Sequence, residues 1–200
     1  MAHKSFGNFS VKTDRKVFSF TAIDFETANA FSPCSLGLAK VVDNQVVEVR
    51  NWLIKPTCFP YFHYYAQKIH GIYKEDVQDK PTFNLLWDEI KPYLENTMLL
   101  AHNASFDINV LRKTLQYYHI PKPMNSHYMC TYVLSRDVWK ESTKFSLDFL
   151  CNQEGIQLNH HHSDSDAEAC ARLFLKEAEY LNVETFEDLK KITHRRYNKV

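Results

Sequence analysis

Glycine is scarce: four in 200 residues, Gly7, Gly37, Gly71 and Gly155. A phosphate-binding GxxxxGK loop or a dinucleotide-binding GxGxxG turn needs several within a short span, so neither can be assembled and most nucleotide-dependent enzymes drop out. The five cysteines, Cys34, Cys58, Cys130, Cys151 and Cys170, form no CxxC pair. That pattern argues against a structural zinc site or a dithiol redox motif and predicts reduced thiols in a cytoplasmic protein. Neither sign of charge is in surplus, since 24 Lys and Arg balance 24 Asp and Glu. No global positive field draws in a polyanion, and any nucleic-acid contact has to be local. No apolar run reaches the length of a membrane span, and "MAHKSFGNFSVKTDRK" lacks the apolar core of a signal peptide, so no membrane partner is expected. Internal repeats and low-complexity segments are also missing.

What is present is ample apolar material, 44% hydrophobic and 14% aromatic residues, enough for one domain with a real core. The expected organisation is a flexible leader over 1–16, one domain over 17–182, and a terminal helix with a basic tail over 183–200. "VFSFTAI" reads as a buried strand. "SLGLAKVV" and "QVVEVRNWLI" flank an Asp43-Asn44 turn and extend that strand into a meander. "KPTCFPYFHYYAQKIHGI" reads as an irregular aromatic connection. Helical spacing predicts a helix over 81–94, then a short buried strand "TMLLAH" and a helix over about 105–118. "YMCTYVLSRDVW" reads as a strand running into a short helix, 145–154 as a helix, "QEGIQL" as a helix end and strand start, and 163–181 as a long helix. "TFEDLKKITHRRYNKV" reads as a helix with a basic, fraying end. Strands first, then strands alternating with helices, predict an α/β fold with a mixed sheet.

Two carboxylates stand at the mouth of the first apolar strand. Asp24 and Glu26 are two apart, so in an extended strand they point to one side. At a few ångström two such charges repel by roughly 4 kcal/mol at an effective dielectric of about 20, which calls for a cation or a raised pKa. Two solvated loop acids after a strand ending at Ile23 would escape that repulsion, and the pair alone does not decide.

Two further acids recur at equivalent places. Asp107, Val110, Leu111 and Leu115 fall at i, i+3, i+4 and i+8, which sets Asp107 in a first helical turn facing the core. Asp166, Cys170, Leu173 and Phe174 repeat the pattern, while Ser163 and Asp164 stand where a helix N-cap belongs. Of the triple histidine, His160, His161 and His162, the adjacent rings are not all expected to face one ion, and no Cys/His partner lies at zinc-ligand spacing. Two of the three are expected to be solvated loop.

Asp24-Phe25-Glu26-Thr27, His102-Asn103-Ala104-Ser105-Phe106-Asp107, and His161 through Asp166 together resemble the three motifs of the DEDDh exonucleases, the family of the epsilon proofreading subunit of bacterial replicative polymerases and of ribonuclease T. "IHGI", then "EDV" and a Pro-Thr-Phe helix, is similar to the segment between the motifs, and the resemblance covers about 17–181. It implies a ribonuclease H-like mixed β-sheet, an antiparallel meander plus parallel strands, flanked by α-helices. It implies two divalent ions, Mg²⁺ or Mn²⁺, on Asp24, Glu26, Asp107 and Asp166, with His161 as general base. The activity implied is 3′–5′ exonucleolytic hydrolysis of single-stranded or frayed DNA to 5′-mononucleotides. RNA or oligonucleotide trimming by the same chemistry is the alternative, and a binding module without catalysis the third reading. The partner implied is a nucleic acid with a free 3′ end, while action alone, as a dimer, or beside a polymerase or other replication protein stays open.

Two positions depart from the family pattern: Ser163, where a small apolar residue is frequent, and the extra acid Asp164, either a cap or an outer-shell ligand. Phe25 and Phe106 flank the acids and either stack on terminal bases or fill the core. Thr27, by the resemblance, offers its backbone N–H to the terminal 3′ hydroxyl, and Asn103 is placed with the substrate-binding residues. Lys190, Lys191, Arg195, Arg196 and Lys199 form the one basic cluster, a phosphate-binding tail or a solvated helix end.

Overall fold

In the computed structural model, which describes residues 17–194 and 197–200, the first apolar run becomes β1 (Phe20–Asn29). β1 carries Asp24 and Glu26 within the strand rather than beyond it. β2 (Ser32–Val42) and β3 (Gln45–Leu53) complete an antiparallel meander. The turn between them is at Asp43 and Asn44, with φ of 51° and 65°, left-handed values that a two-residue hairpin needs and that Asp and Asn tolerate. The leader expected over 1–16 lies outside the described residues, as do Arg195 and Arg196.

β4 (Met98–Ala101) runs parallel to β1, β5 (His127–Cys130) parallel to β4, and β6 (Asn198–Lys199) antiparallel to β5, giving the order β3-β2-β1-β4-β5-β6. This is the expected α/β architecture, a meander continued by parallel strands with helices on both faces. β1 and β4 end at one edge of the sheet, the edge at which open α/β sheets bind their ligands.

The connection expected to be irregular holds a short helix, α1 (Tyr64–His70), and a second, α2 (Lys74–Val77), follows it. Helical periodicity had little to report there because α1 lies on the surface: Tyr64, Tyr65 and Ile69 are exposed and only His70 is buried. α3 (Phe83–Leu94) buries Phe83, Trp87, Ile90 and Leu94, the spacing expected of it. α4 (Ala104–Tyr117), α5 (Thr131–Val138), α6 (Leu147–Glu154) and α7 (Ser163–Tyr180) follow. Gly155 ends α6 at φ 68°, but no strand begins after it, against expectation.

α8 (Phe186–Thr193) is capped by Thr185, whose Oγ1 accepts from the Asp188 N–H at 3.1 Å. The chain end does not stay helical. It returns to the sheet as β6 and buries Val200. Lys190 and Lys191 pair with Glu187 and Asp188 on their own helix.

Two apolar layers cover the two faces of the sheet. On one, Ile23, Phe25, Leu36, Leu38 and Leu99 pack against α3 and α4. On the other, Phe20, Ala22, Ala39, Val41 and Leu100 pack against α7 and α8. Each fully buried Leu, Ile or Phe side chain contributes about 1.5–3 kcal/mol. Among the described residues no helix is long and apolar enough to cross a membrane.

Candidate active site

Alternation along β1 separates its side chains by chemistry. Ile23 and Phe25 enter the layer under α3 and α4, whereas Ala22 belongs to the layer under α7, and Asp24 and Glu26 share its face. The cross-strand partner of Asp24 on β2 is Gly37, whose partner on β3 is Asn51. A Cβ on Gly37 would lie 2.0 Å from the backbone C and O of Ser163, so the first turn of α7 rests directly on the β2 backbone. An isolated glycine in a strand marks this kind of close approach. Ser163, Ala167 and Ala171, at i, i+4 and i+8, are buried along the underside of the helix over Ala22 and Ala39. Small residues on both sides let α7 lie low enough to bring Asp166 to Asp24 and Glu26, and one ligand oxygen from each of the three lies within 4.8 Å of the others.

Asp107 arrives from the first turn of α4. It is 2% exposed, and its Oδ1 accepts the backbone N–H of Phe25 at 2.9 Å, a bond spanning 82 positions of sequence. Phe25 is likewise 2% exposed with its ring in the core. What it offers the site is this N–H, while its ring fills the core, the second of the two roles expected for it.

The cluster is strained as a set of anions. Burial first, then Asp107, Asp166 and Glu26, hold the Asp24 carboxyl well above the usual carboxylate range. Burial first, then Asp166 and Asp107, push Glu26 up to about 8. Burial pushes Asp107 up to about 7, against the backbone N–H groups of Phe25 and of Asp107 itself, with Asp166 adding to the rise. Four carboxylates gathered around β1, all hard oxygen donors, fit the ligand chemistry of Mg²⁺ or Mn²⁺.

Two of the three histidines come together at the site. His161 has φ 68°, and a left-handed residue breaks the alternation that would otherwise send neighbouring rings apart. The His160 and His161 rings therefore stack, with centroids 3.8 Å apart and planes at 21°. His160 Nδ1 is 3.0 Å from Asp166 Oδ1, and the His161 backbone N–H donates to Asp166 Oδ2 at 2.9 Å. One donor atom from each of the three lies within 4.8 Å of the others, so two adjacent histidines do face one place. Burial, then His160, holds the His161 imidazole below its usual range.

His162, not Ser163 or Asp164, is the N-cap of α7. The Ser163 hydroxyl is engaged across the sheet by Ser35 Oγ at 2.6 Å and by Asn51 Nδ2 at 3.3 Å, and Asn51 Nδ2 also donates to Asp164 Oδ1 at 3.2 Å. A serine stands here because β2 and β3 present polar partners to it.

β1 bulges between Glu26 and Thr27 and again between Thr27 and Asn29, a distortion common beside active sites. His70, in the "IHGI" segment, holds the bulge: its Nδ1 accepts from the Ile72 N–H at 3.0 Å, so Nε2 donates to the Thr27 carbonyl at 3.2 Å. Asn103 is exposed at φ 69° and opens α4. Phe106 is 38% exposed, next to Asp107. His102 is not at the carboxylates. It links Thr131 Oγ1 at 2.9 Å to the carbonyl of Phe145 at 2.8 Å, and burial lowers its pKa to about 4.

A family model described as Exonuclease matches residues 21–174. Over 182 residues the chain is 28% identical to a DNA polymerase III PolC-type protein of Thermotoga petrophila, covering 87% of this chain and 13% of that one. Over 152 residues it is 27% identical to a DNA polymerase III subunit epsilon of Buchnera aphidicola, covering 67% and 63%. It thus spans less than two thirds of either relative. Among solved structures, Exonuclease X in complex with 5′ overhanging duplex DNA superimposes with a TM-score of 0.69 at 26% identity, covering 87% of this chain and 99% of that one.

Proposed function

The chain belongs to the exonuclease family whose model spans residues 21–174, and from that membership we propose that it removes nucleotides stepwise from the 3′ end of single-stranded or frayed DNA, releasing 5′-mononucleotides. The observation that carries the reading is the meeting of Asp24, Glu26 and Asp166 within 4.8 Å, with Asp107 on the Phe25 N–H beside them. DNA is favoured over RNA because Exonuclease X, 26% identical, was captured on duplex DNA with a 5′ overhang, a substrate with a recessed 3′ end. The similarity to parts of DNA polymerase III supports a replication protein as partner.

Asp24, Glu26 and Asp166 would hold one divalent cation, Mg²⁺ or Mn²⁺, and Asp24 would share a second, with Asp107 reaching it through water. When bound, the cations neutralise the carboxylates, acidify the attacking water and stabilise the leaving 3′ oxygen. His161 takes the proton from that water as general base. Thr27, its carbonyl fixed by His70, presents its N–H to the terminal 3′ hydroxyl. Phe106 offers an exposed ring to the last base, and Asn103 lies at the same helix start.

The test is a 5′-labelled single-stranded DNA incubated with Mg²⁺, with EDTA, and beside an RNA of the same sequence. The expected result is a ladder shortening one nucleotide at a time from the 3′ end, abolished by EDTA and slower on RNA. Internal cleavage, shortening from the 5′ end, or undiminished digestion in EDTA overturns the reading, and faster digestion of RNA reassigns the substrate.

A further inference from the structure

We propose that His160, His161 and Asp166 form a second cation site, suited to Zn²⁺, which shares Asp166 with the carboxylate cluster and whose occupation shuts the enzyme off. The zinc site itself is independent of the nuclease reading, whereas its inhibitory effect rests on that reading.

The donor set differs in kind from the cluster beside it. Two imidazole nitrogens and one carboxylate oxygen lie within 4.8 Å of one another. Tetrahedral zinc, with bonds of about 2.0–2.2 Å to nitrogen and oxygen, spaces its ligand atoms about 3.3 Å apart. His160 Nδ1 and Asp166 Oδ1 are already at 3.0 Å, and the His161 donor lies within 4.8 Å of both, so an ion has to draw it in by no more than about 1.5 Å to reach that spacing. Imidazole ranks Zn²⁺ far above Mg²⁺, which keeps to oxygen and water.

The backbone builds the site rather than leaving it to chance rotamers. The left-handed turn at His161 sets both rings on one side, and the His161 N–H fixes the second oxygen of Asp166 at 2.9 Å, as outer partners orient ligating carboxylates in metal sites. Asp166 is 4% exposed and His160 37% exposed, so the ion is held from beneath and the fourth position opens to water. Binding at His160 Nδ1 replaces the proton shared with Asp166, and the ring carries its proton on Nε2 instead, staying a neutral imidazole ligand. An ion there occupies an Asp166 oxygen and the His161 lone pair together, withdrawing a carboxylate ligand and the proposed general base at once. His160 has no part in the proposed hydrolysis, so its variants separate the two sites.

The first measurement is zinc binding by the purified full chain in competition with a chromophoric chelator, free of nucleic acid and Mg²⁺. Wild type is expected to bind zinc at least ~10-fold more tightly than His160→Ala and His160→Asn, with the His162→Ala control at wild-type affinity. Equal affinity in wild type and both His160 variants overturns the site and places zinc on the carboxylates alone. The second measurement titrates Zn²⁺ into a Mg²⁺-supported DNA digestion. With each protein referred to its own rate in Mg²⁺ alone, His160→Ala is expected to need at least ~10-fold more zinc for half-inhibition than wild type. Zinc that binds through His160 without slowing digestion overturns the inhibitory role. A chain with no nuclease activity at all would sink the functional reading and leave the chelator result standing.

Discussion

Gly37→Ala tests whether the site depends on contact between α7 and the β2 backbone. The added methyl would lie 2.0 Å from Ser163 C and O and 2.2 Å from Asp164 N. These are backbone atoms with no rotamer to retreat into, and ordinary contact begins near 3.4 Å. The first turn of α7 must therefore recede by more than about 1 Å. Overpacking of this kind costs about 1–3 kcal/mol, and the Ser163–Ser35 hydroxyl pair at 2.6 Å is stretched or lost, adding about 1 kcal/mol. Asp166 sits on the turn that moves, and misplacement of a reacting constellation by about 1 Å costs on the order of 10²-fold in rate. Urea unfolding measured beside DNA digestion under saturating Mg²⁺ checks both figures. A useful control is Gly155→Ala, where φ is 68° but nothing lies within 4 Å; it should lose about 1–2 kcal/mol from the left-handed backbone alone and keep its activity. A Gly37→Ala protein with wild-type midpoint and rate would refute the argument that close approach of the helix assembles the site.

Two further outcomes follow from the electrostatics. Asp24→Asn removes a buried acid held high by burial and by Asp107, Asp166 and Glu26, so in EDTA its Tm should exceed that of wild type, its Mg²⁺-dependent Tm rise should vanish, and digestion should fall by at least about 10²–10³-fold; a lower Tm in EDTA contradicts the repulsion. His102 titrates at about 4 in the fold against about 6.5 unfolded, so the unfolded chain takes its proton first. Its contribution to stability is complete above about pH 6.5 and is lost as pH falls toward 4, at about 1.4 kcal/mol per unit at most. Because the raised pKa values of Glu26 and Asp107 act in the opposite direction without cations, the effect is read as the difference between wild type and His102→Gln in unfolding free energy from pH 7.5 to 4.5. A difference that stays constant across that range would show that His102 is not held neutral.

Much of the scaffold was legible because periodicity records burial. α3, α4 and α7 announced themselves by apolar residues at helical spacing, and Asp107 and Asp166 fell on the buried stripes of their helices. α1 was missed because its exposed aromatics have no core to report. β6 was missed because a two-residue edge strand is made by the partner that it finds, β5, some 70 positions earlier in the chain. Within the site, Phe25 was ambiguous between base stacking and core, and strand alternation puts its ring in the core. The pairing of His160 with Asp166 was not legible, because it depends on a single left-handed φ at His161 that stacks the two rings.

The order of residues along the chain determined which groups exist and which face of its own strand or helix each occupies, since both follow from local geometry with periods of two and 3.6 residues. That is enough to nominate Asp24, Glu26, Asp107 and Asp166. The distances among them came from elsewhere: from the pairing of Gly37 with Asp24, the small residues beneath α7, and the reach of Asp107 to the Phe25 N–H. The groups so gathered lie up to 142 positions apart, the separation of Asp24 from Asp166. Local periodicity carries no information about such separations, because packing sets them only once the whole sheet is in place.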